Sequence, residues 1–381
     1  MKFIHTSDLH IGRRLGEYSL IDDQRAMLDD ILRIVRAEVP DALIIAGDIY
    51  DKSVPTAEAV ALFDRFLTDA AAITRVFLIA GNHDSPERIA FGGKLMAQAG
   101  VCLCGVYDGD VHRHVMEDEL GQVNIYLLPY IRPADVRRYF PDADAETYDD
   151  AFAVAVAALG ADAESRNVLV SHQLVMGGVR SESETVSIGG SDAVSASHLA
   201  AFDYVALGHL HRAQNCHSES GTVRYSGTPM AYAVSEADDE KSVSIVEMGK
   251  KGDISVRTCP ITPPRRMYRL RGTYDTVMAR DFYRDTDYRE SYVQITLTDE
   301  DDIPDALYRL RTVYPYLLRL EYDNTRTRTE QTFEAADDGA DMHPAVLFET
   351  FYREQNGLSM DDEMKTYIDD LIKRIFGEEH A

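Results

Sequence analysis

The stretch "ALGHLHRAQ", residues 206–214, ends an apolar run on a glycine and then sets two histidines two positions apart. Taken alone, H-x-H is one face of a half-exposed strand. It gains meaning only if ligand-type residues also stand at the ends of other strands, and they do. "SDLH" (Asp8, His10) follows the first apolar run, "GDIYD" (Asp48, Asp51) the next and "GNHD" (Asn82, His83, Asp84) the third. "SH" (His172) and "GHLH" (His209, His211) follow two later runs. In an open α/β sheet, ligands bind outside the carboxyl ends of the strands, so five such junctions converge on one crevice.

The text around these blocks supports that placement. "KFIHT", "ALIIAG", "RVFLIAG" and "VCLCG" read as strands, with amphipathic stretches at about 20–38, 56–72 and 86–99 between them, a βαβ series. A second set ("NIYLLPY", "NVLVSH", "YVALGH", "TVRYSG", "KSVSIVEM", "DISVRTC") is spaced closely enough for antiparallel pairing. Mixed sheets covered by helices on both outer faces satisfy both sets. At "CPITPPRR" proline cannot feed a central ladder, which marks a boundary. The expected organisation is a first domain over 1–262, a small α/β unit over 265–323 and a polar linker over 324–343. Two amphipathic helices follow over 344–377, the first closed by Asn356 and Gly357 and the second capped by Ser359 or Asp361.

With 381 residues, 45 % of them hydrophobic, the chain can bury a large core. A formal charge of −26 excludes a polyanion-binding surface spread over the whole molecule, so any nucleic-acid contact is local, metal-assisted or shared with a partner. The four cysteines form no C-x-x-C pair, and Cys102 and Cys104 read as reduced core thiols. No apolar run approaches a membrane span or a signal segment, and a reducing cytoplasm is the expected compartment.

Imidazole, carboxylate and amide oxygen together suit divalent metals. Asp8, His10, Asp48, Asn82, His172, His209 and His211 are too many for one tetrahedral centre and fit two ions sharing Asp48. Two ions roughly 3.5–4 Å apart activate water and clamp a phosphoryl oxygen. The glycine before each of Asp48, Asn82 and His209 is expected to let backbone and phosphate approach closely. His83 adjoins Asn82, so in extended chain its side chain points away from the metals, towards a leaving-group oxygen that it would protonate as general acid. A carboxylate is expected to hold its tautomer, and Asp51 and Asp84 are both candidates.

The five blocks, in this order, resemble the calcineurin-like metallophosphoesterase superfamily. There the Asp of G-D-x-x-D partners the His of G-N-H, which favours Asp51. "HTSDLHIGRRL", "AGDIYDKSVPTAEAV", "IAGNHDSPERIAFG" and "RYSGTPMAYAVSEADDEKSV" narrow the resemblance to the bacterial SbcD family of nuclease subunits. It implies a four-layer αββα sandwich with a small α/β capping domain and a C-terminal helical hairpin that docks on an SMC-like ATPase of the SbcC type. It further implies a heterotetramer acting on DNA in repair, replication and recombination, by double-strand exonuclease and single-strand or hairpin endonuclease action. Two manganese ions are implied, one held by Asp8, His10, Asp48 and His211, the other by Asp48, Asn82, His172 and His209. Archaeal and eukaryotic relatives tend to carry histidine where this chain has Asp51.

A phosphatase acting on small molecules or proteins could use the same centre, but it would need neither capping domain nor tail. Arg13 and Arg14, after the first metal loop, are candidates for DNA phosphate contacts, and Arg132, Arg137 and Arg138 are lesser ones. His5, His112, His114, His198, His217 and His343 read as exposed or incidental. The helices beginning near Thr56 and Pro86 offer a contact face for a second copy of the chain, a reading evenly balanced against plain solvated surface.

Overall fold

A computed structural model describes residues 1–180, 192–218, 221–325, 327, 348–349, 352, 360, 364–368 and 371–372. Nearly all of the expected linker lies outside the described residues, as do His343, Asn356, Gly357, Ser359 and Asp361. The chain divides into two compact units, Met1–Met267 and Tyr268–Ala381.

The first unit begins with β1 (Lys2–Thr6), β2 (Ala42–Ala46), β3 (Arg75–Ile79) and β4 (Val101–Cys104), paired in parallel in that order. The chain then lays down a second sheet from β5 (Arg113–Asp118), β6 (Gly121–Leu128), β7 (Arg166–His172), β8 (Tyr204–Gly208), β9 (Gln214–Cys216) and β10 (Thr222–Tyr225). Its order is β9-β10-β8-β7-β6-β5, with the four middle strands parallel. Finally β11 (Ser242–Met248) and β12 (Ile254–Pro260) return to the first sheet, β11 antiparallel to β1 and β12 at the edge. Pro260 therefore sits where a missing N–H is tolerated.

The two sheets pack face to face. Phe3, Ala42, Ile44 and Phe77 from one interleave with Val123, Ile125, Val168 and Tyr204 from the other, all fully buried. Alternate residues Ile4, Leu43, Ile45 and Leu78 are also buried, on the outer face. Here α1 (Ile21–Glu38) and α2 (Ala57–Ala71) pack together, and α2 lies on β3. Thr56 starts α2 by accepting from the Ala59 amide. The stretch expected as one helix over 86–99 is broken into α3 (Pro86–Ala90) and α4 (Gly93–Gln98), because Phe91 is extended and Gly92 is left-handed. On the far side, α6 (Tyr148–Ala158, after the one-turn α5, Pro133–Arg137) covers the second sheet through Phe152 and Ala155 against Leu169 and Val205. The result is the four-layer αββα arrangement.

One expectation is corrected here. His5 is not an incidental surface histidine: it shares the inner face of β1 with Phe3, is 0 % exposed, and bonds Tyr204 Oη at 2.9 Å across the sheets. Burial lowers its pKa to about 3, so it is a neutral core residue.

The second unit runs β13 (Met267–Gly272), α7 (Tyr274–Met278), α8 (Arg280–Tyr283), β14 (Tyr292–Leu297), α9 (Ala306–Arg311) and β15 (Leu317–Tyr322). Its three strands form one sheet in that order around a small core of Leu270, Val277, Val293, Ile295, Leu310 and Tyr314. Among the described residues no helix is long and apolar enough to cross a membrane.

Candidate metal centre

Pairing continues past the strand ends, so the first two loops run side by side: the amides of Asp8, His10 and Ile11 donate to the carbonyls of Gly47, Asp48 and Ile49. The five strand-to-loop junctions then bring all seven expected ligands together. His10 Nε2 lies 3.2 Å from His211 Nε2 and 3.7 Å from Asp48 Oδ2. The same Asp48 oxygen is 3.4 Å from His172 Nε2. Asn82 Oδ1 is 3.0 Å from His172 Nε2 and 3.0 Å from His209 Nδ1. The donors of Asp8, His10 and His211 form one tight group, those of Asp8, Asp48 and His172 a second, and those of His10, Asp48 and His83 a third.

The backbone is strained at these same residues. Asp8 (φ 53°), His10 (φ 42°), Asp48 (φ 50°) and His209 (φ 106°) all occupy the left-handed region that side chains avoid. Such strain persists where the surroundings over-determine it, and it is concentrated where donor atoms must face inward. The glycines allow the close backbone approach expected of them. A Cβ on Gly81 would lie 2.1 Å from Asp48 Oδ1, and one on Gly208 would lie 2.0 Å from the Ala46 carbonyl. They make room for neighbouring parts of the centre itself.

A further layer, which sequence reasoning missed, fixes the rings. His172 Nδ1 donates to Ala46 O at 2.8 Å, turning Nε2 to the cluster. His211 Nδ1 faces Glu236 Oε1 at 3.3 Å, and Glu236 is 1 % exposed, held also by Thr228 Oγ1 at 3.2 Å and Lys241 Nζ at 2.6 Å. Gln24, from α1, donates to His10 O at 2.7 Å. A second partner on the outer nitrogen is the usual arrangement for metal-binding histidines. In the text Glu236 is one of several acids in "SEADDEK", and nothing local marks it as buried.

Charge follows from crowding. Burial raises the Asp8 carboxyl and lowers His10 well below the ordinary imidazole value. Burial also opposes ionisation of Asp48, but His172 and His10 overcome it and hold the carboxyl very low. His172 rises to about 9 because Asp48 outweighs its own burial. Burial, with the neighbouring charge of His172, lowers His209 to about 3.

His83 differs from expectation in two ways. Its ring does not point away from the cluster but packs edge-on against His10, centroids 4.7 Å apart. Its Nδ1 bonds the main-chain carbonyl of Asp51 at 2.9 Å, not a carboxylate. The Asp51 carboxylate is drawn instead to Arg13 Nη1 at 3.0 Å. Asp84 is turned the other way, accepting from the amides of Ile49, Tyr50 and Gly81, and burial beside Asp48 raises it to about 6. Arg13 is accordingly committed to Asp51 and to the face of Tyr232, while Arg14 donates to the Glu17 carbonyl.

The donor set suits divalent cations. Two carboxylates and four imidazoles are packed in a deeply buried site, with His10 Nε2 and His211 Nε2 only 3.2 Å apart, a crowding of lone pairs that a cation among them would relieve.

The calcineurin-like phosphoesterase model matches residues 1–213, and the type 5 capsule protein repressor C-terminal domain matches residues 263–356. The SbcD component of the SbcCD nuclease from Staphylococcus saprophyticus is 30 % identical over 99 % of this chain and 94 % of its own length. The chain belongs to the SbcD family of calcineurin-like phosphoesterases. A second SbcD-family protein, the corresponding SbcCD nuclease component of Staphylococcus epidermidis, is 26 % identical over the full length of both chains. A dimetal phosphatase from Danio rerio overlays 69 % of this chain and 97 % of its own at 11 % identity, with a TM-score of 0.38. As an SbcD-family phosphoesterase the chain is a metal-dependent phosphodiester hydrolase, and the family implies a dinuclear centre of divalent ions.

Proposed function

We propose that the chain is the nuclease component of an ATPase-coupled DNA-processing complex. Asp8, His10, Asp48 and His211 would hold one manganese ion and Asp48, Asn82, His172 and His209 the other. The observation that carries this reading is Asp48 Oδ2, which stands between His10 and His172 at 3.7 and 3.4 Å. When bound, the ions supply Lewis acidity and an activated water.

The protein's own groups do the rest. Asn82 and the strained loops fix donor positions before substrate arrives, which spares reorganisation during reaction. A carbonyl only accepts, so the bond to Asp51 O keeps the proton on His83 Nδ1 and leaves Nε2 as the nitrogen that gains and loses one. In its imidazolium form His83 would present the Nε2 proton to the departing oxygen.

DNA as substrate is supported by the two SbcCD nuclease relatives, which match this chain from end to end. Exonuclease action on duplexes, endonuclease action on single strands and hairpins, a cytoplasmic setting and roles in repair, replication and recombination belong to the same proposal. So do the capping role of the second unit and docking of the tail on an SbcC-type ATPase in a heterotetramer. A homodimer face is supported by the exposure of Phe91 (82 %), Leu95 (73 %) and Val60 (44 %) around α2 and α4.

The decisive assay gives the purified chain manganese with linear duplex and single-stranded DNA. Strand cleavage is expected; release of phosphate from monoesters while both DNAs stay intact would replace this reading with a phosphatase.

A further inference from the structure

On the Asn82 side of the cluster a cavity of about 370 Å³ opens, with Gly81, Asn82 and Asp84 among its lining. Its other walls are aromatic. Tyr107 and Tyr139 meet edge to face at 5.9 Å, and Tyr130 stands edge-on to His172 at 6.3 Å, so the aromatic surface reaches a candidate metal ligand. Gly109 (φ 77°) admits the Tyr139 side chain, since a Cβ there would fall 2.7 Å from Tyr139 Cβ. The guanidinium of Arg138 lies over the Tyr139 ring at 5.6 Å and pairs with no carboxylate among the described residues. Arg132, by contrast, is tied to Asp135 by two bonds of 3.0 and 3.1 Å. Tyr107 Oη is buried and has no hydrogen-bond partner.

We infer that this cavity receives an unpaired nucleobase of the substrate strand, adjacent to the phosphate at the metal centre; the inference rests on the nuclease reading. A phosphate is poorly suited to it, because with Asp135 neutralised by Arg132 the lining keeps two carboxylates, Asp84 and Glu87, against the single cation of Arg138. A base is neutral, offers a flat face to tyrosine rings and carries N–H groups that can meet the lining carboxylates. Arg138 remains at the mouth to stack or to reach the following phosphate. A duplex end would have to release its terminal pair to enter, so the subsite favours frayed or single-stranded DNA.

The test compares the manganese-loaded full chain with its Tyr139→Ala and Tyr107→Phe variants. Two oligonucleotides are used, one intact and one with a single abasic residue beside the cut position. The wild type should prefer the intact strand, and Tyr139→Ala should reduce that ratio of kcat/KM by about tenfold, the effect of losing one stacked base. Tyr107→Phe, which keeps the ring and removes only a buried hydroxyl, should leave the ratio unchanged. A 2-aminopurine placed at the same position should be quenched on binding to wild type and not to Tyr139→Ala, which reads occupancy without cleavage. Equal losses on both strands, or no quenching in the wild type, would overturn the subsite. Quenching without cleavage of either strand would instead overturn the nuclease reading and leave the subsite standing. Tyr139 is 39 % exposed, and an unchanged melting temperature confirms that its truncation leaves the fold intact.

Discussion

His83 Nδ1 lies 2.9 Å from the carbonyl oxygen of Asp51, so the residue expected to orient this imidazole with its side chain does so with its backbone. The Asp51 carboxylate stands 3.0 Å from Arg13 and 3.9 Å from His10 Nδ1, so it acts on the loop and on the edge of His10 and not directly on the His83 ring. Asp51→Asn should therefore retain most cleavage activity, within about tenfold of wild type. His83→Ala should keep both metals and lose about 10²–10⁴-fold in kcat, the range for removal of a general acid. Metal content and single-turnover rates on one DNA substrate check both; an Asp51→Asn loss as large as that of His83→Ala would restore the carboxylate to the central role.

Glu236 sits behind His211 and is also the partner of Lys241, all three deeply buried. Glu236→Gln keeps the shape but removes the charge facing His211 and Lys241, and should lower manganese affinity about 10–100-fold with a fall in melting temperature smaller than that of Glu236→Ala. Glu236→Ala also opens a cavity and leaves the buried Lys241 with only the more distant Asp239, at 3.9 Å, as carboxylate partner, and should cost about 3 kcal/mol of stability. Calorimetric titration with manganese and thermal melting separate the two effects.

Gly81→Ala places a methyl group 2.1 Å from Asp48 Oδ1. Since that carboxylate also accepts from the His83 amide at 2.9 Å, the loop cannot yield without moving His83. Manganese should stabilise the wild type against heat, by mass action on the folded state, and should not stabilise the variant. A metal-dependent rise of equal size in both proteins would contradict the tight fit.

Asp118 accepts from Arg166 at 2.6 and 3.0 Å and lies 2.8 Å from the N-terminal ammonium, joining β5, β7 and the start of β1. The bonds from Arg166 hold its carboxyl well below the ordinary value. A depressed carboxylate contributes stability above its unfolded pKa of about 3.9 and loses it as pH falls towards the folded value. Asp118→Asn should melt roughly 2–4 °C below wild type at pH 7, worth ~1 kcal/mol after solvent screening, and the difference should shrink below about pH 3.

The parallel strands of the first sheet and the seven ligand candidates were legible in the sequence because each strand is a short apolar run and each ligand sits just beyond one. The second set of runs, expected to pair antiparallel, instead pairs in parallel through β6, β7, β8 and β10. What stayed hidden depends on contacts between distant segments. His5 looks like a polar interruption of a strand, and only the second sheet, bringing Tyr204, makes it a core residue. Glu236 looks like one more surface acid until Lys241 and His211 enclose it. The direction of the Asp51 carboxylate was misjudged because spacing places a residue near its neighbour without saying which of its atoms does the bonding. The break between α3 and α4 was missed because "FGG" interrupts an amphipathic pattern that continues on either side.

Asp8, Asp48 and Asn82 follow strands of one sheet, while His172, His209 and His211 stand at the strand ends of the other. A cation held among them rivets two leaves whose shared face is chiefly oily. With the ligands proposed above, neither leaf alone would own a complete coordination shell, so tight metal capture would wait until the leaves have closed, and the arrival of the ions would time-stamp the last stage of folding.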